Sequence, residues 1–406
     1  MTAEPDSGAG AAPLDEAALE AAEESGRHAT NLELFLDLVF VFAVTQVAGM
    51  LASDMSLAGF GRGLLLAWLV WWLWSQFAWL GTAIDLGGRS ATQFLVLATV
   101  PFTLLMAVAL PGAYGSSGAE FAGAYLAVNL WALATQGWGL WREPVTRAAW
   151  LHYAPLAALA PLVLFAGAFL PEGARVAVWC AVAVFSVVSA LVGGRGEEGK
   201  TAWTVDPGHF TERHALFVII SLGEILVAVG ASATEAHLTP AVGAGLLAAV
   251  AVACAFWWTY FAFVPEAVER ALRSAPRYDR GRIARDRFTF GHFPIVFGLV
   301  LFAVAAKHVV AHPTDAPSGS DLAVLTGAVA FFVGGLLDLQ WQAVRRLAPE
   351  RVAAIVAVAA LCWGAGPRVP GVVLVAVVAV IVAIMQTITL RRYDRMRAER
   401  TLGSTG

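Results

Sequence analysis

The sequence predicts an all-α integral membrane protein with about twelve transmembrane helices, arranged as two parallel six-helix repeats. Of its 406 residues, 59% are hydrophobic and only 14% are charged. A soluble protein needs a larger charged fraction to cover its surface, so the composition indicates a chain that exposes apolar side chains to lipid. The apolar runs are long and continuous, which excludes a transmembrane β-barrel, because barrel strands alternate apolar and polar residues.

The helices are predicted from apolar segments of about 20 residues, the length that crosses the ~30 Å hydrocarbon core of a bilayer. Twelve segments qualify: 30–51, 62–84, 91–111, 119–141, 149–170, 174–193, 212–233, 240–264, 288–311, 321–342, 351–366 and 370–391. The eleventh is the shortest of them. Grouped by sixes, they predict a first repeat at 29–193, a linker at 194–211, a second repeat at 212–391 and a basic cytoplasmic tail at 392–406.

Residues 1–28 differ from the rest of the chain and are expected to form an acidic, disordered cytoplasmic tail. Their acidic residues are Glu4, Asp6, Asp15, Glu16, Glu20, Glu23 and Glu24, which are opposed by Arg27 alone. Small residues and Pro separate them, a composition that cannot bury a core. No basic segment precedes an apolar one here, so a signal peptide is not predicted.

The distribution of basic residues tests the predicted spans, because short cytoplasmic loops collect Lys and Arg. With the N-terminus inside, the inside segments hold 22 of the 26 Lys and Arg residues. The outside segments hold only Arg62, Arg175 and Arg368. Lys307 falls near the outer end of the ninth span, where its side chain can reach the interface. The pattern predicts that both termini are cytoplasmic.

Two landmarks indicate an internal duplication. Residues 71–77 and 257–263 both fit the pattern Trp-Trp-x-aromatic-x-x-Phe and are 186 residues apart. At nearly the same offset, Asp37 overlays Glu224. Six spans separate the copies, an even number, so the two repeats are predicted to have the same orientation. The tryptophan cluster of the second span is expected to face lipid or to form an interfacial belt.

Carboxylates within the spans are the strongest indication of function. Glu33 and Asp37 are four residues apart in the first span and therefore share one helix face. An acidic residue at mid-membrane costs about 2.5–3.5 kcal/mol on insertion scales, so such residues usually face a protein interior or a water-filled path. Glu224 lies near the middle of the seventh span. We expect Asp37 and Glu224 to be paired proton- or cation-binding acids that face the bundle interior, with Glu33 and His292 modulating access.

Other polar residues in or beside the spans are expected to support this site: Gln46, Gln76, Arg213, His214 and Asp338. Intramembrane amides typically contribute modest interhelical hydrogen bonds, worth about 0.6 kcal/mol. Glu33, Glu212 and Arg213 are at the predicted membrane boundary, where we expect them to stay hydrated.

A purely structural alternative is open for the two central acids. Asp37 and Glu224 could each be neutralised in a pair with Arg213 or His292 and serve packing alone.

No cofactor or metal site is predicted. Cys180, Cys254 and Cys362 lie within apolar runs without ligand-like spacing, so we expect buried thiols rather than disulfides. His308 and His312 are not grouped with other potential ligands. Nucleotide-binding and hydrolase motifs are absent, and the basic residues are dispersed without interleaved aromatics, so nucleic-acid binding is not expected.

Several segments resemble the bacterial low temperature requirement protein A (LtrA) family. Residues 32–46 (LELFLDLVFVFAVTQ) resemble the opening signature of that family, and residues 212–224 (ERHALFVIISLGE) match it again. Segments 290–294 and 307–313 add further similarity. Leu36 departs from the pattern, since the family more often has a second Phe there. The resemblance implies a multi-pass protein of the bacterial inner membrane.

A fainter likeness concerns the first span alone. The order of Glu33, Phe35, Asp37 and Phe40 is similar to the first-helix motif of the two-repeat, twelve-helix potassium channels of lysosomes and bacteria. Those channels also have six helices in each parallel repeat. Leu36 stands where they have Ser, so the hydrogen bond of that Ser has no counterpart here.

The function predicted from these features is a transporter or channel for a proton, a cation or a small solute, acting in the lipid bilayer. The alternative is a membrane-embedded enzyme that acts on a lipid or apolar metabolite. In that case the same acids would be general acid and base, and Trp71, Trp72 and Trp74 would line an apolar pocket. Transport predicts polar residues that continue to the outer face, whereas an enzyme needs only a closed pocket.

Overall fold

The computed structural model describes residues 28–83, 90–141, 144–192 and 205–403, and these residues form α-helices without a β-strand among them. The predicted acidic tail, apart from His28, and most of the predicted linker lie outside the described residues. The helices are α1 Asn31–Ser53, α2 Leu57–Ala83, α3 Ser90–Leu97, α4 Val100–Ala109, α5 Gly118–Leu140, α6 Pro144–Gly167, α7 Glu172–Val192, α8 Pro207–Glu235, α9 Pro240–Phe261, α10 Val264–Arg273, α11 Arg277–Ala284, α12 His292–Ala311, α13 Gly319–Val344, α14 Pro349–Gly364 and α15 Gly371–Gly403.

The helices confirm the predicted class of all-α, multi-pass membrane protein. Within the described residues, 11 helical segments are long and apolar enough to cross a membrane. These segments match eleven of the twelve predicted spans. The predicted fourth span is absent from them, although the structure does form a helix there, α5. This helix has 23 residues and contains the buried polar residues Asn129, Thr135 and Gln136, which make it less apolar than the others. With α5 included, the described helices supply all twelve predicted segments.

The helices alternate in direction between two ends of the bundle. We call the end at which α1 begins the proximal end and the end at which it ends the distal end. An ion pair of 2.6 Å joins Arg62 to Glu172 at the distal end. At the proximal end, Arg285 donates a hydrogen bond of 3.0 Å to the Ala190 carbonyl.

The starts of α1 and α8 are fixed by side-chain caps, and both helices carry candidate site residues. Thr30 and Glu33 form a capping box, in which each side chain accepts a hydrogen bond from the other residue's backbone N–H. Asp206 caps α8 by accepting from the backbone N–H of His209 at 3.0 Å. Pro207 follows at the first helical position, where its missing N–H is not needed. The helix thus begins five residues before the predicted seventh span.

The centre of the bundle is α12, which is buried almost continuously from Ile295 to Ala306. A helix that is apolar on all sides is stable only when other helices surround it. Accordingly, α12 packs against α1, α8, α9 and α13.

The pattern of neighbouring helices is similar in the two halves of the chain. In the first half, α1 packs on α2 and α4, α5 packs on α4 and α6, and α7 packs on α6 and α2. In the second half, α8 packs on α9 and α12, α13 packs on α12 and α14, and α15 packs on α14 and α9. Each of these packing contacts of the first half has a counterpart six spans later in the second half. The internal repeat stays a prediction, which this correspondence supports.

Two expectations about side-chain location were wrong. Trp71, Trp72 and Trp74 are buried inside the bundle rather than facing lipid, because their face of α2 packs against other helices. Among the cysteines, Cys180 and Cys254 are exposed and only Cys362 is buried. An apolar run allows a thiol on either face of a membrane helix, since lipid accepts it as readily as the core does.

We expect Gly298→Ala to destabilise the protein by about 1–3 kcal/mol through overpacking of the contact between α12 and α13. A Cβ at Gly298 would contact backbone atoms of Phe332 and the Ala328 carbonyl oxygen, the latter at 2.8 Å. Gly334→Ala on α13 is the control, because a Cβ there meets nothing within 4 Å. The midpoints of thermal unfolding in detergent compare the two variants. Equal midpoints would show that α12 and α13 do not pack as closely as described.

Candidate ion-binding site

Two pairs of residues with helical spacing face each other near the proximal ends of α1 and α8. Glu33 and Asp37 are four residues apart on α1, and His209 and Arg213 are four residues apart on α8. The two helices pack together and run in the same direction. Glu33 therefore meets His209, and Asp37 meets Arg213, both across a separation of 176 residues. We refer to these four residues as the charged cluster.

In the proximal layer of the cluster, Glu33 is bound on both carboxylate oxygens. Its Oε1 lies 2.9 Å from Nε2 of His209 and 3.6 Å from a terminal nitrogen of Arg213. Its Oε2 accepts hydrogen bonds from the backbone N–H and hydroxyl of Thr30 at 2.8 and 3.0 Å. Gly81 of α2 allows this contact, because a Cβ there would touch the Glu33 carboxylate and lie 2.8 Å from the His209 ring.

In the next layer, one oxygen of Asp37 is bound twice and the other is not bound. Oδ1 accepts a hydrogen bond of 2.7 Å from the Arg213 guanidinium and another of 2.7 Å from the Trp74 indole N–H. Oδ2 is buried without a hydrogen-bond partner among the described residues. Asp37 and Arg213 are both 0% exposed. The pair is thus removed from solvent and joins α1, α2 and α8.

The charges of the cluster do not balance without one further positive charge. Two carboxylates, those of Glu33 and Asp37, face the guanidinium of Arg213. Burial of an uncompensated charge costs several kcal/mol, so a buried cluster approaches neutrality by binding a proton or an ion. A proton can reside on His209 or on a carboxylate. The cluster is therefore chemically suited to hold one exchangeable proton or monovalent cation.

Two further histidines lie beside the cluster. The His214 ring packs edge-on against Trp74, with centroids 5.0 Å apart, and 5.2 Å from the His292 ring. Nε2 of His214 is buried without a partner among the described residues. His292 is held by the Tyr260 hydroxyl at Nε2 and by the Arg287 carbonyl at Nδ1, both at 2.9 Å. His292 therefore contacts His214, which in turn packs against Trp74, the indole that binds Asp37.

Glu224, the other predicted central acid, lies apart from Asp37. It is half-buried on α8, and its carboxyl contacts the Thr45 side chain of α1. Thr45 is eight residues beyond Asp37, which corresponds to about 12 Å along the helix. Asp37 and Glu224 are consequently two separate positions at different depths.

The supporting residues have different locations. Arg213 and His214 belong to the buried centre, and Gln46 is half-buried on α1. Gln76 lines a cavity described below. Asp338 is exposed and accepts a hydrogen bond of 2.6 Å from Gln342, so it lies outside the cluster.

The expectation that Glu33 and Arg213 stay hydrated was wrong, since they are 1% and 0% exposed. The third residue of that group, Glu212, is half-buried and binds the backbone N–H of Ala29 at 2.8 Å. Pairing between helices compensates the burial of Glu33 and Arg213. Hydropathy along a single helix cannot reveal such a pair.

Sequence reasoning missed His209 and Tyr260, and it considered Trp74 only as a lipid-facing or pocket-lining residue, not as a partner of Asp37. His209 precedes the predicted seventh span, although it is four residues before Arg213 and shares its face. That spacing, identical to the spacing of Glu33 and Asp37, was the available signal. No comparable signal marks Trp74 or Tyr260, whose roles depend on how their helices pack.

Two spaces adjoin this region. The larger, near the proximal end, is lined by residues of α2, α5, α6, α7 and α11 and by the adjoining segment 285–290. The smaller lies distal to the cluster and is bounded by apolar side chains such as Val44, Trp71, Phe217, Phe297 and Val300. The side chains that bound this smaller space are therefore apolar. Among the described residues, no three or more His, Cys, Asp or Glu side chains are arranged to hold a metal ion.

Comparison with known proteins identifies the family. The sequence model of the protein family described as bacterial low temperature requirement A protein (LtrA) matches residues 28–387, nearly the whole chain. The chain belongs to the LtrA family. An uncharacterized protein of Rhizobium meliloti (strain 1021) is 30% identical over 315 residues, which cover 74% of this chain and 75% of that protein. No solved structure matches the chain. The LtrA match confirms the resemblance inferred from the motifs and, with the apolar helices, supports a multi-pass membrane protein.

Proposed function

We propose that this LtrA protein is a transporter or channel that carries protons or monovalent cations through the bundle, using its intramembrane acids. The observation that supports this function is the charged cluster, in which Glu33 and Asp37 are buried against a single obligate cation, Arg213. Placing an acid inside the membrane costs free energy, and such acids typically mark ion pathways and proton relays. If these residues contributed only to folding, apolar residues at the same positions would give equal or greater stability.

A proton fits the cluster better than a larger ion. His209 lies 2.9 Å from Glu33, a distance at which the two groups can share a proton. A dehydrated cation needs several oxygen ligands, as in the carbonyl rings of selectivity filters. The only unbound carboxylate oxygen of the cluster is Oδ2 of Asp37. We therefore favour a proton as the transported or coupling ion.

The proposed path runs from the proximal end through the cluster and then toward Glu224. Glu33 is the third residue of α1, so its layer is closest to the proximal surface. Distal to the cluster, apolar side chains such as Val44, Phe217 and Val300 surround a narrow space. Apolar constrictions of this kind gate channels by excluding water. In this proposal, transport requires these side chains to separate.

We further propose that the protein resides in the bacterial inner membrane with its proximal end in the cytoplasm. The support is the distribution of basic residues, of which 22 out of 26 fall in segments assigned to the inside.

The enzyme alternative receives less support. It requires the acids and the tryptophans to line one pocket. Trp72 lines the larger cavity and Trp71 the smaller one, whereas Trp74 binds Asp37. Neither Glu33, Asp37 nor Glu224 lines either cavity.

Ion flux into liposomes that contain the purified protein tests the proposed function. Proton- and potassium-sensitive dyes would report uptake under an imposed gradient of each ion. We expect wild-type protein to conduct or exchange protons, and Glu224→Gln to slow this flux by about tenfold or more, because one carboxylate on the path is removed. Wild-type liposomes that transport neither ion would refute the proposal, and unchanged flux in the variant would remove Glu224 from the path.

A further inference from the structure

The larger cavity is separate from the charged cluster, since none of the four cluster residues lines it. About 70 Å³ is open to water-sized molecules, whereas one water molecule needs roughly 10–15 Å³ by the same measure. The cavity therefore has room for a molecule of about five or more non-hydrogen atoms. Its walls include the indole rings of Trp72 and Trp79 and the side chain of Tyr153. Flat aromatic walls of this kind favour a planar ligand.

The polar groups of the cavity include two glutamine side chains from different helices. Gln76 of α2 accepts a hydrogen bond of 2.9 Å from the Tyr153 hydroxyl, so its amide oxygen is partly used and its NH2 group can still donate. Gln136 of α5 lines the same cavity and is only 6% exposed. Within the described residues the Gln136 amide has no protein hydrogen-bond partner, so it is available to a molecule in the cavity. An amide in this position can both donate to and accept from a bound molecule.

The single charged side chain in the wall is already compensated. Arg285 binds Asp286 through two nitrogens at 2.8 and 2.7 Å, and a third nitrogen donates to the Ala190 carbonyl at 3.0 Å. Among the described residues that line the cavity, a charged ligand would find no uncompensated counter-ion, and it would lose its hydration. The cavity thus selects against both anions and cations.

We propose that this cavity binds a small, uncharged, planar molecule that carries an amide-like hydrogen-bond donor and acceptor. Gln136 pairs with the amide-like group, and the indole rings of Trp72 and Trp79 cover its faces. The proposal goes beyond ion movement through the charged cluster and does not depend on it, because binding is measured without flux.

The cavity and the cluster meet at one helix, α2. Trp79 donates to the Thr289 hydroxyl at 3.1 Å, and Trp71 donates to the Thr289 carbonyl at 2.7 Å. Trp74, which lies between them on the same helix, donates a hydrogen bond to Asp37. A ligand that moves α2 therefore acts on residues that bind the acid.

Saturation-transfer NMR on purified protein in detergent tests the proposal with four probes. Acetamide and benzamide have the proposed amide group, and benzoate and benzamidinium match benzamide in shape but carry opposite charges. Empty micelles correct for partitioning. The variants are Gln136→Leu, which removes the unpaired amide, and Ala190→Leu, which fills the cavity from α7. Gln46→Leu is the matched control, because Gln46 is likewise a glutamine on a membrane helix, half-buried there, but does not line the cavity.

We expect saturable binding of benzamide or acetamide to the wild type and to Gln46→Leu. Loss of the Gln136 amide should weaken binding by roughly tenfold in Gln136→Leu, the effect of one hydrogen bond to the ligand, with a similar or larger loss in Ala190→Leu. Benzoate and benzamidinium should bind at least about tenfold more weakly than benzamide. Absence of saturable binding of both amides, or equal binding by Gln136→Leu and Gln46→Leu, would overturn the site. Equal or tighter binding of either charged analogue would overturn the ligand class.

Discussion

Replacement of Arg213 by leucine is expected to destabilise the folded protein by about 3–5 kcal/mol, because it leaves buried carboxylates without their cation. Arg213 is the only guanidinium that contacts Glu33 and Asp37 among the described residues, and both acids are buried. The free energy of unfolding, measured from helix content during denaturant titration in mixed micelles, would report the loss.

A second buried arginine provides the control for this substitution. Arg351 is 4% exposed and donates to the Leu336 carbonyl at 2.8 Å, and no ion pair holds it within the described residues. Arg351→Leu removes a similar side chain without stranding an acid and should cost clearly less. Adding Asp37→Asn to Arg213→Leu should recover much of the lost stability, since one acid then remains beside His209. Equal losses for the two arginines, or no recovery in the double variant, would contradict the assigned charge balance.

Glu33→Gln is expected to abolish ion flux while the protein stays folded. Asp37 and Arg213 then balance each other, so the cluster no longer needs an additional proton. Gln retains one oxygen that can accept from Thr30, which limits the loss of stability to about 1 kcal/mol, the usual effect of a weakened cap. We expect proton flux to fall by about tenfold or more, because the exchangeable charge is lost.

The matched control for Glu33→Gln is Glu212→Gln. Glu212 is at the same end of the bundle and binds the backbone N–H of Ala29, but its side chain is 37% exposed and does not take part in the cluster. Proton flux in the Glu212→Gln variant should stay close to that of the wild type. A Glu33→Gln protein with normal flux would show that Glu33 has only a capping role.

The sequence predicted the features of this fold that depend on local properties. Hydropathy along the chain identified the twelve helical segments, and the spacing of Glu33 and Asp37 placed both acids on one face of α1. These follow from composition and helical geometry, which no tertiary contact changes. The family signature around Asp37 was also readable directly from the chain.

Properties that depend on contacts between helices were not predictable in the same way. The burial of Glu33 and Arg213 depends on each having a partner on the other helix, so a boundary location suggested hydration instead. His209 was missed because α8 begins at Pro207, earlier than the apolar run. The cavity beside Gln136 is formed by residues from several helices, and neighbours in sequence do not reveal such a space.

The most direct test of the proposed ion-binding cluster compares proton uptake by liposomes that contain Asp37→Asn with uptake by liposomes that contain Asp338→Asn. Both substitutions remove one carboxylate from a membrane helix, but Asp37 is 0% exposed and pairs with Arg213, whereas Asp338 is exposed. With equal amounts of folded protein, we predict that flux is lost in Asp37→Asn and retained in Asp338→Asn. Wild-type flux in Asp37→Asn would contradict the account.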